Sequence, residues 1–213
     1  MAKIVGLIGD SIGHGFFDHE DLGWFARLGK QILCNYSEAY FFNNLSQAGD
    51  NIADTAFRAT SEVLSRKFDL LLVSTGINDL RRRKMCNLEL DFSAGAREMY
   101  WNKLLDILSL TGAQIVVTDL LPIIEKRYAP QATLIRRNSD VEDYNKQISK
   151  ICAERQIKFF ARYPRWQRRD LEKLYFDAIH PNEIGHKMIA EEVYDYLQKE
   201  KLLTAEKLTY EHE

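Results

Sequence analysis

Short apolar runs alternate along the chain with stretches whose apolar residues recur every three or four positions. Residues 4–8 form the first run and end at Gly9, residues 69–75 end at Gly76, and residues 114–119 are closed by Pro122. Residues 157–161 and 40–45 are weaker strand candidates. Runs without polar alternation suit strands covered on both faces, as in a parallel sheet. Between them, residues 96–110 carry Met99, Trp101, Leu104, Leu105 and Leu108 at helical spacing. Ser139, with Glu142 three positions on, reads as a capping box opening a helix with Tyr144, Ile148 and Ile151 on one face. A last helix is predicted from Pro181 or Asn182, because proline suits a first helical turn. Its buried stripe would be Ile184, Met188, Ile189, Val193, Tyr196 and Leu197. This alternation predicts an α/β fold, an open parallel sheet with helices on both faces. In such sheets functional residues gather in loops beyond the carboxyl ends of the strands.

Composition narrows the choice further. The chain has 213 residues, 46% hydrophobic and 28% charged, which sets aside disordered, collagenous and coiled-coil classes. No Gly/Ser-rich linker interrupts it, so one domain over 1–213 is expected, with a peripheral tail from about residue 203. Lys and Arg total 29 against 31 Asp and Glu, a net charge of −2 without the basic excess of a nucleic-acid partner. No apolar stretch approaches the roughly 18 residues of a membrane span, and the first run is too short for a signal-peptide core. Cys34, Cys86 and Cys152 are scattered without disulfide or zinc spacing, which points to a reducing, cytoplasmic setting.

The predicted strand ends carry the candidate chemistry. After the first comes Gly9-Asp10-Ser11, where a serine hydroxyl would lie beside the first N–H groups of a helix. A routine helix cap explains the same tripeptide. Gly76-Ile77-Asn78-Asp79 follows another strand. Asn78 offers a neutral amide donor for an oxyanion, while a plain turn with Asp79 capping the next helix fits equally well. Asp177 precedes His180 by three residues, and Pro181 keeps His180 out of helical geometry. A carboxylate at that spacing can bend back to the imidazole N–H and fix its tautomer. Gly49 could present its N–H to a ligand or simply turn the chain, with Asn51 a nearby alternative.

In this order, Gly9-Asp10-Ser11, Gly49, Gly76–Asp79 and Asp177/His180 resemble the SGNH (GDSL-type) hydrolase superfamily over nearly the whole chain. Ile12 stands where that family often has leucine, a conservative change. The resemblance implies a three-layer α/β/α, flavodoxin-like sheet of about five parallel strands in the order 2-1-3-4-5. It implies Ser11 as nucleophile, His180 as general base and Asp177 as its orienting carboxylate. It further implies an oxyanion hole from the N–H groups of Ser11 and Gly49 with the Asn78 side chain. The implied reaction is hydrolysis of a small-molecule carboxylic ester or thioester through an acyl-enzyme, without metal or cofactor. A catalytically inactive binding module on the same fold is the alternative. A nucleotide-binding flavodoxin-like protein ranks last, for neither glycine-rich phosphate-loop pattern is present.

Several features read as structure. His14, Asp18, His19 and Asp21 lack a metal-ligand pattern and suit a first-helix surface. The basic groups at 81–84 and at Arg165, Arg168 and Arg169 read as solvated faces, with contact to an anionic substrate as the functional version. Residues 121–138 and 162–176 lack a clean period and read as lid or subsite loops.

Overall fold

The computed structural model describes residues 2–36 and 40–204; the tail expected to be peripheral lies outside the described residues from 205 on. Among the described residues five parallel strands form the main sheet. They are β1 (Lys3–Gly9), β2 (Tyr40–Asn44), β3 (Leu70–Ser74), β4 (Gln114–Thr118) and β5 (Lys158–Phe160). Their order is β2-β1-β3-β4-β5, the flavodoxin-like arrangement expected. In register, Leu7 lies beside Leu72 and Gly9 beside Ser74, so β1 and β3 finish level at their carboxyl ends.

Successive side chains of a strand point to opposite faces. Here both sets are apolar, because helices cover both faces. Val5, Leu7, Leu70, Leu72 and Val116 pack with α2 (Trp24–Tyr36) and α7 (Glu183–Lys199). Ile8, Leu71, Val73 and Val117 pack on the other side with α3 (Ile52–Val63), α4 (Ala94–Ser109) and α5 (Asn138–Glu154). Each fully buried Leu or Ile is worth roughly 1.5–3 kcal/mol, so the two-sided core fixes where the strand ends lie. Two one-turn helices, α1 (Ser11–His14) and α6 (Tyr163–Trp166), follow β1 and β5. No helix among the described residues is long and apolar enough to cross a membrane.

Three local expectations are corrected. In α4, Trp101, Leu104, Leu105 and Leu108 are buried, but Met99 is 56% exposed and Arg97 faces inward. In α7, Ile184 is exposed and Gly185 and His186 are buried in its place. There the first turn packs so closely that a Cβ on Gly185 would lie 2.3 Å from the Leu174 carbonyl. Ser139 is no cap, for α5 already begins at Asn138, whose N–H donates to Glu125 Oε1 at 2.7 Å. A carboxylate from another segment supplies the acceptor that the local pattern assigned to serine.

The segment 121–138 is bound down as well. Its Leu134–Ile135 pairs antiparallel with Arg82–Arg83. Tyr175 donates its hydroxyl to the Pro122 carbonyl at 2.6 Å, and Ile124 N–H donates to Ala178 O at 2.8 Å. Arg127 Nη1 reaches the carbonyls of Tyr175 and Asp177 at 3.1 and 2.9 Å.

Candidate active site

From β1 the chain crosses to β2 on one side and returns to β3 on the other. Such a reversal opens a crevice beyond the strand ends, the usual ligand position in open α/β sheets. Ser11 emerges there. Asp10 caps α1, its Oδ1 accepting from Ile12 N–H at 3.0 Å, and Ser11 is the first helical residue, 4% exposed. The capping reading therefore belongs to Asp10 and leaves the Ser11 hydroxyl uncommitted to the helix.

Ser11 Oγ lies 2.9 Å from His180 Nε2, and His180 Nδ1 lies 2.7 Å from Asp177 Oδ2. A carboxylate only accepts, so Nδ1 carries the proton and Nε2 is left to accept from the serine hydroxyl. Phe176 N–H donates to His180 O at 2.9 Å, closing a tight loop around this pair. Within it Asp177 Oδ1 accepts from the N–H groups of Ile179 and His180 at 2.8 and 2.7 Å. Burial alone would raise the Asp177 pKa. The His180 ring bond and these two backbone donors outweigh it and hold the carboxyl at about 2.

At the end of β3, Gly76 leaves the strand at φ 125°, a conformation that L side chains rarely adopt, and opens the 3₁₀ turn Ile77–Leu80. Asn78, 4% exposed, donates from Nδ2 to the Asp50 carbonyl at 2.9 Å. Its Oδ1 accepts from Arg136 Nη2 at 2.9 Å. A guanidinium only donates and a carbonyl only accepts, so these bonds fix which way the amide points. Gly49 has φ 88° with open space around its Cβ position, so backbone conformation, not crowding, calls for glycine. Asn51 caps α3 in a reciprocal box with Asp54, which commits its side chain to the helix.

Arginines from distant elements clip these segments together. Arg58 of α3 bonds Asp50 Oδ2 at 2.5 Å and Gly9 O at 3.0 Å, and Arg81 Nη2 donates to Gly49 O at 3.1 Å. Arg136 also donates from Nε to Ile77 O at 2.8 Å. Arg58, Arg127 and Arg136 carry no local sequence signal, because each acts on carbonyls or side chains far away along the chain.

Two carboxylates, Asp10 and Asp79, are structural. Asp79 does not cap the following helix. Its Oδ1 accepts from Ile52 N–H at 2.8 Å, at the start of α3, and its Oδ2 accepts from the Tyr144 hydroxyl. Burial pushes its pKa up to about 7 against those bonds. Asp10 is likewise raised by burial to about 6, despite the Ile12 N–H bond and the charges of His180 and Arg136.

The basic run is mostly spent on folding. Arg82 forms a two-bond pair with Asp140, 2.7 Å each, and Arg83 pairs with Asp91. Arg165 and Arg169 both meet Glu192 of α7. Arg81 is the member that meets a candidate site residue, through its bond to the Gly49 carbonyl.

Asp18 is not on a first-helix surface, since α1 stops at His14. It is buried and accepts from the N–H groups of Glu20, Asp21 and Gly23 and from Arg27 Nε and Nη2. His186 accepts from Trp24 N–H at Nδ1, so its Nε2–H donates to Phe16 O at 2.9 Å. Among the described residues no three His, Cys, Asp or Glu side chains converge as a metal site.

Residues 7–188 match the GDSL-like Lipase/Acylhydrolase family. No curated protein sequence matches the chain. The lipase/acylhydrolase from Enterococcus faecalis shares the fold at TM-score 0.77 and 14% identity, covering 99% of this chain and 100% of that one. LAE5, an alpha/beta hydrolase enzyme from the metagenome of Lake Arreo, gives 0.76 at 20% identity, covering 96% and 99%. The psychrotrophic esterase EstA from Pseudoalteromonas sp. gives 0.69 at 15% identity, covering 94% and 99%. With most of its length inside one family pattern and this shared fold, the chain belongs to the GDSL-like lipase/acylhydrolase family, a family of ester-hydrolysing enzymes.

Proposed function

We propose that the protein is a serine hydrolase that cleaves a carboxylic ester or thioester of a small acyl group through an acyl-enzyme at Ser11. The observation that carries this reading is the continuous hydrogen-bond chain Ser11 Oγ–His180 Nε2–His180 Nδ1–Asp177 Oδ2, at 2.9 and 2.7 Å. His180 Nε2 takes the serine proton as Oγ attacks the carbonyl carbon. The oxyanion that forms is received by the N–H groups of Ser11 and Gly49 and the Nδ2–H of Asn78. The bond to the leaving oxygen or sulfur then breaks, and Nε2–H returns the proton to that atom. Water, deprotonated by the same nitrogen, attacks the acyl carbon and restores the Ser11 hydroxyl. Asp177 stays ionised throughout and stabilises the imidazolium without taking its proton. We also place the enzyme in the cytoplasm, on three cysteines scattered along the sequence without disulfide or zinc spacing.

The test is hydrolysis of p-nitrophenyl esters from acetate to decanoate by wild type and Ser11→Ala, together with labelling by an organophosphonate. Short-chain activity is expected, with one adduct on Ser11 and a loss of about 10⁶ in kcat for the variant. Equal rates for the two proteins remove Ser11 from the mechanism. Inactivity of the wild type without labelling favours a binding module.

A further inference from the structure

We infer that the alcohol part of the substrate lies against an aromatic wall formed by Phe16, Phe17 and Phe176, and that the enzyme selects esters of apolar, ring-bearing alcohols. The inference rests on the triad reading above. His180 Nε2 must deliver its proton to the leaving oxygen, which brings that oxygen within hydrogen-bond reach of the ring nitrogen. Whatever is bonded to that oxygen then extends over the surroundings of His180.

Those surroundings are aromatic. The Phe17 ring centroid lies 5.3 Å from that of His180, edge to face, and Phe16 lies 6.0 Å away. Phe176 stacks on Phe17 at 4.0 Å with 9° between the planes. Phe16 and Phe176 are 38% and 57% exposed, a cluster of rings left open to solvent beside the reacting atoms. Among the described residues no Lys or Arg covers these rings, although cations do cover Tyr144, Phe57 and Phe160.

The wall is built, not incidental. Phe17 holds φ 64°, a left-handed conformation that costs a non-glycine residue energy and persists only where its surroundings enforce it. The next residue, Asp18, is anchored by three backbone N–H groups and Arg27, and on the other side of Phe17 the Phe16 carbonyl is held by His186. Phe176 is held by its own N–H bond to His180 O. Rings that leave part of their surface to solvent suit an apolar, flat group, because offset or edge-on ring contacts favour another ring over a hydrated polar chain.

The experiment compares kcat/KM for methyl and benzyl acetate, whose alcohols are of similar acidity, in wild type, Phe176→Ala and Phe176→Leu. Methyl acetate against methyl hexanoate serves as the acyl-side control. Wild type is expected to favour the benzyl ester by about tenfold or more. Phe176→Ala is expected to bring the benzyl-to-methyl ratio toward one, mainly through KM, with Phe176→Leu in between. The acyl ratio should move less than twofold. A wild-type ratio near one, a ratio untouched by both variants, or a change confined to the acyl series overturns the inference. Hydrolysis of the methyl esters and Ser11 labelling report separately on the triad; loss of both removes the triad reading, and this inference with it.

Discussion

Arg136 holds Asn78 by the oxygen of its amide, Nη2 to Oδ1 at 2.9 Å, and thereby turns the amide nitrogen toward the Asp50 carbonyl. Arg136 is 5% exposed, and its Nε donates to the Ile77 carbonyl at 2.8 Å. A buried cation so placed both fixes the donor and polarises it. Arg136→Met is expected to lower kcat about 10–10²-fold with a much smaller change in KM, and Arg136→Lys to recover part of the loss. Because Arg136 acts through Asn78, the double variant with Asn78→Ala should lose little more than Asn78→Ala alone. Fully additive losses would assign Arg136 some other role.

Asp177→Asn keeps an oxygen for the Ile179 and His180 backbone donors but presents an N–H to His180 Nδ1. The ring must then carry its proton on Nε2, where it can no longer accept from Ser11. A loss of about 10⁴ in kcat is expected, as for other triads with this change. Since the wild-type carboxyl is held at about 2, its protonation cannot cause an acid limb in kcat/KM between pH 5 and 8. A titration of Asp177 followed by NMR within that range would contradict this.

The buried acids Asp10 and Asp79 hold protons in the native state that the unfolded chain gives up near 3.8. Native protein therefore binds more protons between that value and about 6 for Asp10 or about 7 for Asp79. Their contribution to stability falls as pH rises through this window and is level above it. Replacing Asp10 by Asn removes up to about 3 kcal/mol of that pH-dependent cost. The difference in Tm between Asp10→Asn and wild type should thus become more positive from pH 4 to pH 8. A constant or declining difference would refute the assignment.

Asp18 and Arg27 form a pair whose carboxylate side chain is fully buried. Arg27→Ala leaves that charge without its partner, a change that typically costs about 3–5 kcal/mol. At about 2–4 °C per kcal/mol for a chain of this size, Tm should fall by roughly 6–20 °C. A fall of less than about 3 °C in calorimetry would show that the backbone donors alone satisfy Asp18.

The central strands β1, β3 and β4 were legible because each is an apolar run, and the two-sided cover that makes them so also sets the sheet type. The strands β2, Tyr40–Asn44, and β5, Lys158–Phe160, gave weaker signals because they are less buried. Ser11, Asn78, Asp177 and His180 drew notice because loops after parallel strands carry the chemistry in such sheets, while Gly49 read equally well as a turn. The resemblance of the four motifs, taken in order, to one family joined them into a candidate site. Local patterns failed where a distant group took over a local task. Glu125 caps α5 in place of Ser139, and Asp79 serves the start of α3, not the turn that follows it. Arg136 was invisible for the same reason, since a single arginine in an irregular segment gives no hint of the amide it meets.

The clamp that Arg127 and Tyr175 place on residues 121–138 bears on how the enzyme would meet insoluble substrate. A flap free to swing open at an oil–water boundary needs a hinge, and this segment is fastened at both the Tyr175–His180 loop and the Arg82–Arg83 ladder. Turnover of dissolved monomers should therefore follow simple saturation, with no jump in rate when the ester begins to form micelles.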